Sequence, residues 1–121
     1  MKDERPALGS RGEEAARRHL ESLGYRILAR RFRSRLGEID LIAEDGSTIV
    51  FVEVKTRRSA ACGSPEEGVT PLKQQRIVRL ASSFLAASGL HGRDCRFDVV
   101  AVVEDAGSGL LLRHLKDAFR A

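Results

Sequence analysis

The chain's 121 residues, 42% hydrophobic and 31% charged, fit one soluble globular domain, 1–121. No apolar run approaches the roughly 20 residues of a spanning helix, so no membrane association is expected, and the charged start Met1-Lys2-Asp3-Glu4-Arg5-Pro6 lacks the apolar stretch of a secretory signal. A formal net charge of +4 leans toward polyanions, although a solvated basic surface explains it as well.

The first helix is expected from Ser10 to Leu23. Ser10 caps it, Glu13 completes a capping box, Ala16, Leu20 and Leu23 form the apolar stripe, and Gly24 stops it. Tyr25 to Phe32 reads as a strand, with arginines crowding its end at Arg30, Arg31, Arg33 and Arg35. Glu38 to Ala43 and Thr48 to Thr56 read as two more strands. Between them Asp45-Gly46 suits a two-residue turn, because both positions tolerate positive φ. Ser59 to Gly68 reads as a loop. Thr70 then caps a second helix, with Pro71 at its first position, a stripe of Ile77, Leu80, Ala81, Phe84 and Leu85, and a stop at Ser88-Gly89. Phe97 to Val103 is apolar enough to be covered on both faces, and Leu110 to Leu115 is a last short strand before a frayed end. The order α-β-β-β-α-β-β calls for an α/β fold, a mixed sheet with a helix on each face. Cys62 and Cys95 have no cysteine or histidine at metal-ligand spacing, so a cytoplasmic location is expected.

The hairpin carries the chemistry. With Asp45-Gly46 as the turn, Asp40 faces Phe51 and Glu38 faces Glu53. Alternation then puts Glu38, Asp40, Glu53 and Lys55 on one side, with Ile42, Ile49 and Phe51 toward the turn. Ile39, Leu41, Val50, Val52 and Val54 form an apolar side. A charged side facing water is one explanation. The other is a cation, since directly opposed carboxylates destabilise a sheet unless something relieves them. All-oxygen donors suit a hard ion such as Mg²⁺ or Mn²⁺, and Lys55 can position water or neutralise charge on a phosphate.

Asp40, followed after the hairpin by Glu53-Val54-Lys55, resembles the D…(D/E)-x-K signature of the PD-(D/E)XK nuclease superfamily, with Ile39 where the name has proline. A longer set of segments is similar to the bacterial YraN family: Gly12-Glu13 with Ala15-Ala16, Gly24-Tyr25-Arg26-Ile27-Leu28, Gly37-Glu38-Ile39-Asp40-Leu41-Ile42-Ala43, Val50-Phe51-Val52-Glu53-Val54-Lys55-Thr56-Arg57, Val69 with Lys73 and Arg76, and Arg96-Phe97-Asp98-Val99-Val100. The resemblance implies a restriction-endonuclease-like, Holliday-junction-resolvase-like fold. It also implies an Mg²⁺- or Mn²⁺-dependent endonuclease acting on DNA, branched DNA included.

Residue by residue, it implies Asp40 and Glu53 as metal ligands and Lys55 as the catalytic lysine. Glu13 would be the helix carboxylate that resolvase-like members bring to the metal; the capping box is the other role open to it. Glu38 is either an auxiliary acid or a solvent-facing strand charge. Lys73, Arg76 and the neighbouring Gln74 are candidate phosphate contacts, as are Arg31, Arg33 and Arg57, with an exposed basic surface as the alternative. Asp98 in an apolar strand needs a partner, expected to be an arginine. His19, His91 and His114 are scattered and receive no role. Aromatics make up only 5%, which favours duplex or branched DNA held through phosphates over stacked single strands. Resolvase-like relatives work in pairs, which suggests a homodimer. The competing expectations are a catalytically silent nucleic-acid-binding module assisting a repair or replication partner, and a protein-interaction domain with an acidic face.

Overall fold

The computed structural model describes residues 8–58, 69–105 and 109–121. In chain order the elements are α1 (Leu8–Ser22), β1 (Arg26–Ser34), β2 (Gly37–Asp45), β3 (Thr48–Arg57), α2 (Pro71–Ser88), β4 (Cys95–Asp105) and β5 (Gly109–Phe119). The strands form one sheet in the order β1-β2-β3-β4-β5. β3 and β4 are parallel and the other neighbours antiparallel, so the sheet is mixed, as expected. The parallel pair follows from the α2 crossover, since only a long connection brings a strand back in the same direction.

Alternation along the central strands feeds two separate cores. Leu41, Ala43, Val50, Val52, Val100 and Val102 pack with Ala16 and Leu20 of α1. Ile42, Ile49, Phe51, Phe97 and Val99 pack with Ile77, Leu80 and Phe84 of α2. β4 is therefore covered on both faces, which explains its nearly continuous apolar run. α2 has the boundaries read from the sequence. Thr70 accepts from the Lys73 N–H, Pro71 occupies the first turn, and Gly89 closes the helix at φ 68.

Other boundaries differ. The first helix begins at Leu8, which places Ser10 inside it and removes the capping box with Glu13. The turn is Gly46-Ser47, not Asp45-Gly46, because Asp45 pairs with Thr48 at the end of the ladder. Arg96 holds Asp45 and Arg93 holds Glu44 and the Ser47 carbonyl, which ties one more residue into β2. Gly46 carries the positive φ of 61 that a type II′ turn requires at its first central position. Glu38 consequently faces Arg33 of β1 and does not face Glu53. The last strand is not short; it pairs with β4 from Asp105–Gly109 out to Phe97–Phe119. The expected loop from Ser59 to Gly68, with Cys62, lies outside the described residues.

Gly12 sets how closely α1 approaches the sheet. A Cβ at this position would overlap Thr56 Cγ2 and press on Thr56 Cβ at 3.3 Å. Thr56 is β-branched and cannot swing aside freely. Gly12→Ala is therefore expected to lower stability by about 1–3 kcal/mol despite alanine's better helix propensity, read as a lower Tm.

Candidate functional site

β2 and β3 part company halfway along. They pair from Asp45–Thr48 to Leu41–Val52 and no further. β2 stays on β1 down to Gly37, while β3 stays on β4 out to Arg57. The result is a fork in the middle of the sheet, and Asp40 sits at its apex. Continuing the register one pair would set Asp40 across from Glu53. Instead, Asp40 Oδ2 accepts the Val54 N–H at 2.8 Å, a donor that β2's backbone no longer serves.

The same place is irregular toward β1. Arg30 pairs with Leu41 and Phe32 with Ile39, but the Arg31–Asp40 pair between them is skipped. Arg31 has φ 54, one of two positive values at non-glycine positions among the described residues. Side-chain alternation breaks here too: Ile39 joins the α2 core while Leu41 joins the α1 core. Ile39 therefore does not share Leu41's face, contrary to simple alternation. Asp40 is released from the ladder on both sides.

Glu53 is only 7% exposed. Its Oε1 lies 2.6 Å from Lys73 Nζ at the start of α2 and 3.8 Å from Lys55 Nζ. Glu13 comes from the α1 side, where its carboxylate accepts from Arg31 Nε at 2.9 Å. Glu38 lies 3.6 Å from Arg33. Two hollows flank the fork. One, of about 460 Å³, is lined by Ser10, Glu13, Glu14, Arg30, Arg31 and Leu41. The other, of about 360 Å³, runs from Leu36 and Glu38 to Lys73 and Arg76.

Electrostatics single out Asp40. Burial first, then repulsion from Glu53, push its carboxyl up to about 7 against the opposing Val54 hydrogen bond; Glu13 and Glu38 add to the rise. Burial and the neighbouring Lys73 ammonium push Lys55 below the ordinary lysine value. Burial opposes charge on Lys73 as well, but hydrogen bonding led by Glu53 keeps its ammonium above the ordinary value. Once the proton is lost, clustered carboxylate oxygens are the donor chemistry a hard divalent ion takes.

The structure thus brings Asp40, Glu53, Lys55 and Lys73 to one place. Glu13 and Glu38 stand close enough to act on the charge of both Arg31 and Asp40. Among the described residues, no three His, Cys, Asp or Glu side chains are arranged to hold a metal. Mg²⁺ commonly takes only one or two protein carboxylates, with water and phosphate completing its shell. Arg76 lines the α2-side groove, and Arg57 ends β3 on the fork side. Gln74 donates its side-chain amide to the Val69 carbonyl at 3.0 Å and so braces the approach to α2.

Asp98 has the expected arginine, with Arg96 Nε at 2.9 Å, and accepts from the Asp117 N–H at 3.0 Å. The histidines supply what the sequence did not suggest: His114 Nε2 lies 2.8 Å from Asp98, and its Nδ1 lies 3.0 Å from His19 Nε2. Asp98 accepts only, so His114 gives it the Nε2 proton. Burial opposes its charge, but the bonds from His114 and Arg96 hold the Asp98 carboxyl below the ordinary value.

Asp40 predicts a pH dependence. Its native pKa exceeds the unfolded value, so the native state holds the extra proton between about pH 4 and 7, and stability falls as pH rises through that window. Asp40→Asn keeps an acceptor for Val54 but has no proton to lose. The stability of wild type minus that of Asp40→Asn, from urea melts without divalent metal, is expected to fall by a few kcal/mol, as an order of magnitude, from pH 5 to 8.

Comparison with known proteins gives a consistent family. The chain is 52% identical over 114 residues to a UPF0102 protein of Symbiobacterium thermophilum, covering 94% of this chain and 97% of that protein. It is 50% identical over 113 residues to one from Rhodococcus jostii, covering 93% and 96%. It is 46% identical over 112 residues to one from Geobacter sulfurreducens, covering 93% and 88%. The family model described as "Uncharacterised protein family UPF0102" matches residues 12–102, from the glycine that seats α1 to the end of the central β4 core. The chain belongs to the UPF0102 family.

Proposed function

We propose that this protein is a divalent-metal-dependent endonuclease of the PD-(D/E)XK type that hydrolyses DNA phosphodiester bonds, with Mg²⁺ or Mn²⁺ as cofactor and structured or branched DNA among its substrates. The observation that carries the proposal is the fork: Asp40 and Glu53 stand level where β2 and β3 separate, with Lys55 beside Glu53. These are the residues through which the sequence resembles that superfamily and the YraN group within it.

Asp40 and Glu53 would hold the ion. When bound, it stabilises charge on the scissile phosphate and makes water a competent nucleophile near neutral pH. The protein's own groups do the rest. The Val54 N–H fixes the orientation of Asp40. Lys55, whose ammonium gives up its proton more readily than an ordinary lysine, orients the attacking water or takes its proton. Lys73 lies on the α2-side groove with Arg76, placed to meet phosphate oxygens. Arg31 and Arg30 line the hollow on the other side. A homodimer would supply two cuts on a symmetric junction, and a cytoplasmic location suits a DNA substrate. Among the described residues, no helix is long and apolar enough to cross a membrane.

The test is a cleavage panel of duplex, flap and four-way-junction DNA with Mg²⁺, Mn²⁺ or EDTA. Wild type should cut only with metal. Asp40→Asn, Glu53→Gln and Lys55→Ala should each lose about 10²–10³-fold in rate while keeping their circular dichroism. Salt-sensitive DNA binding with no cleavage under any condition would assign the protein to non-catalytic nucleic-acid binding instead.

A further inference from the structure

We propose that Arg31 is the resident counter-ion of the Glu13–Asp40 carboxylates: a divalent cation displaces its guanidinium, which is then released to a nucleic-acid phosphate. This rests on the proposed function, because it assumes that the fork receives a metal. The argument begins with the backbone. Arg31 lies within β1, yet its φ is 54. A left-handed conformation strains an ordinary L-residue, and such strain persists only where surrounding structure enforces it. Here it interrupts β1–β2 pairing at the level of Asp40 and turns the Arg31 side chain toward α1. Glu13 is its partner at 2.9 Å, and Glu38 and Asp40 also lie within its electrostatic reach.

The bond to Glu13 uses Nε. A guanidinium carries five N–H donors in a planar fork suited to phosphate, so the side chain can serve a carboxylate in one state and a phosphate in another. It is half-exposed beside the hollow of Ser10, Arg30 and Leu41 and has room to swing. A metal and a guanidinium on the same anionic cluster compete for the same charge, which makes their binding mutually antagonistic. Arg31 on Glu13 and Lys73 on Glu53 thus answer two of the carboxylates whose charge Asp40 feels.

The backbone supplies a clean test. Glycine adopts φ 54 without strain, so Arg31→Gly removes the side chain and keeps the kink; Arg31→Lys retains a cation. Calorimetric titration of the full chain with Mn²⁺, without DNA, should show Arg31→Gly binding about tenfold tighter than wild type, with Arg31→Lys close to wild type. Anisotropy with a labelled duplex should show the opposite order once Ca²⁺ is saturating. There Arg31→Gly should bind several-fold more weakly, with a salt slope smaller by about 1, whereas without metal the two proteins should bind alike. Equal Mn²⁺ affinities in wild type and Arg31→Gly would overturn the counter-ion role and leave the proposed function standing. If neither protein binds Mn²⁺, both fall.

Discussion

Where β2 and β3 separate, a backbone N–H in the middle of a buried sheet loses its ladder partner, and the Asp40 carboxylate takes it. A buried donor without a partner costs about 1–3 kcal/mol, so this single bond makes the fork tolerable. It also fixes Asp40 beside Glu53, in a setting that resists its ionisation. The opening in the sheet is where residues from both faces come within reach of one another. Glu13 and Arg31 arrive from the α1 side, and Lys73 and Arg76 from the α2 side.

A second carboxylate makes the contrast plain. Asp98 also accepts a backbone N–H at a register shift, from Asp117, itself at φ 53. It is fully buried, but Arg96 and His114 surround it and hold its carboxyl low. Two similar backbone devices therefore have opposite electrostatic outcomes. At Asp98 the negative charge is answered within the fold, as suits a structural brace. At Asp40 burial and the surrounding carboxylates push the carboxyl up, which suits a group that a cation would relieve.

The parts legible in the sequence are those set by local chemistry. Thr70, Pro71 and Gly89 define α2 because each acts on its own backbone. The side-by-side placement of Asp40, Glu53 and Lys55 also survives a misplaced turn. Moving the turn by one residue changes every pairing by two, which preserves the face while exchanging Glu38 for Asp40 as the residue level with Glu53. The turn itself was not legible, because Arg93 and Arg96, which hold Glu44 and Asp45, come from 49 and 51 residues away. Neither was the His19–His114 contact, between residues 95 apart. Glu13's release from capping depended on a helix that starts two residues earlier than its serine. Lys73 at 2.6 Å from Glu53 was legible only as a basic residue on a helix, since its target is set by how α2 docks.

Together these features describe a sheet opened at its centre to present anionic oxygens, with cations from each face answering them. Anomalous diffraction from Mn²⁺-soaked crystals is the most direct measurement. The account predicts a single strong peak between the carboxylates of Asp40 and Glu53, accompanied by withdrawal of the Lys73 and Arg31 side chains. A fork that stays empty at saturating Mn²⁺, or a peak only on surface carboxylates, would contradict it.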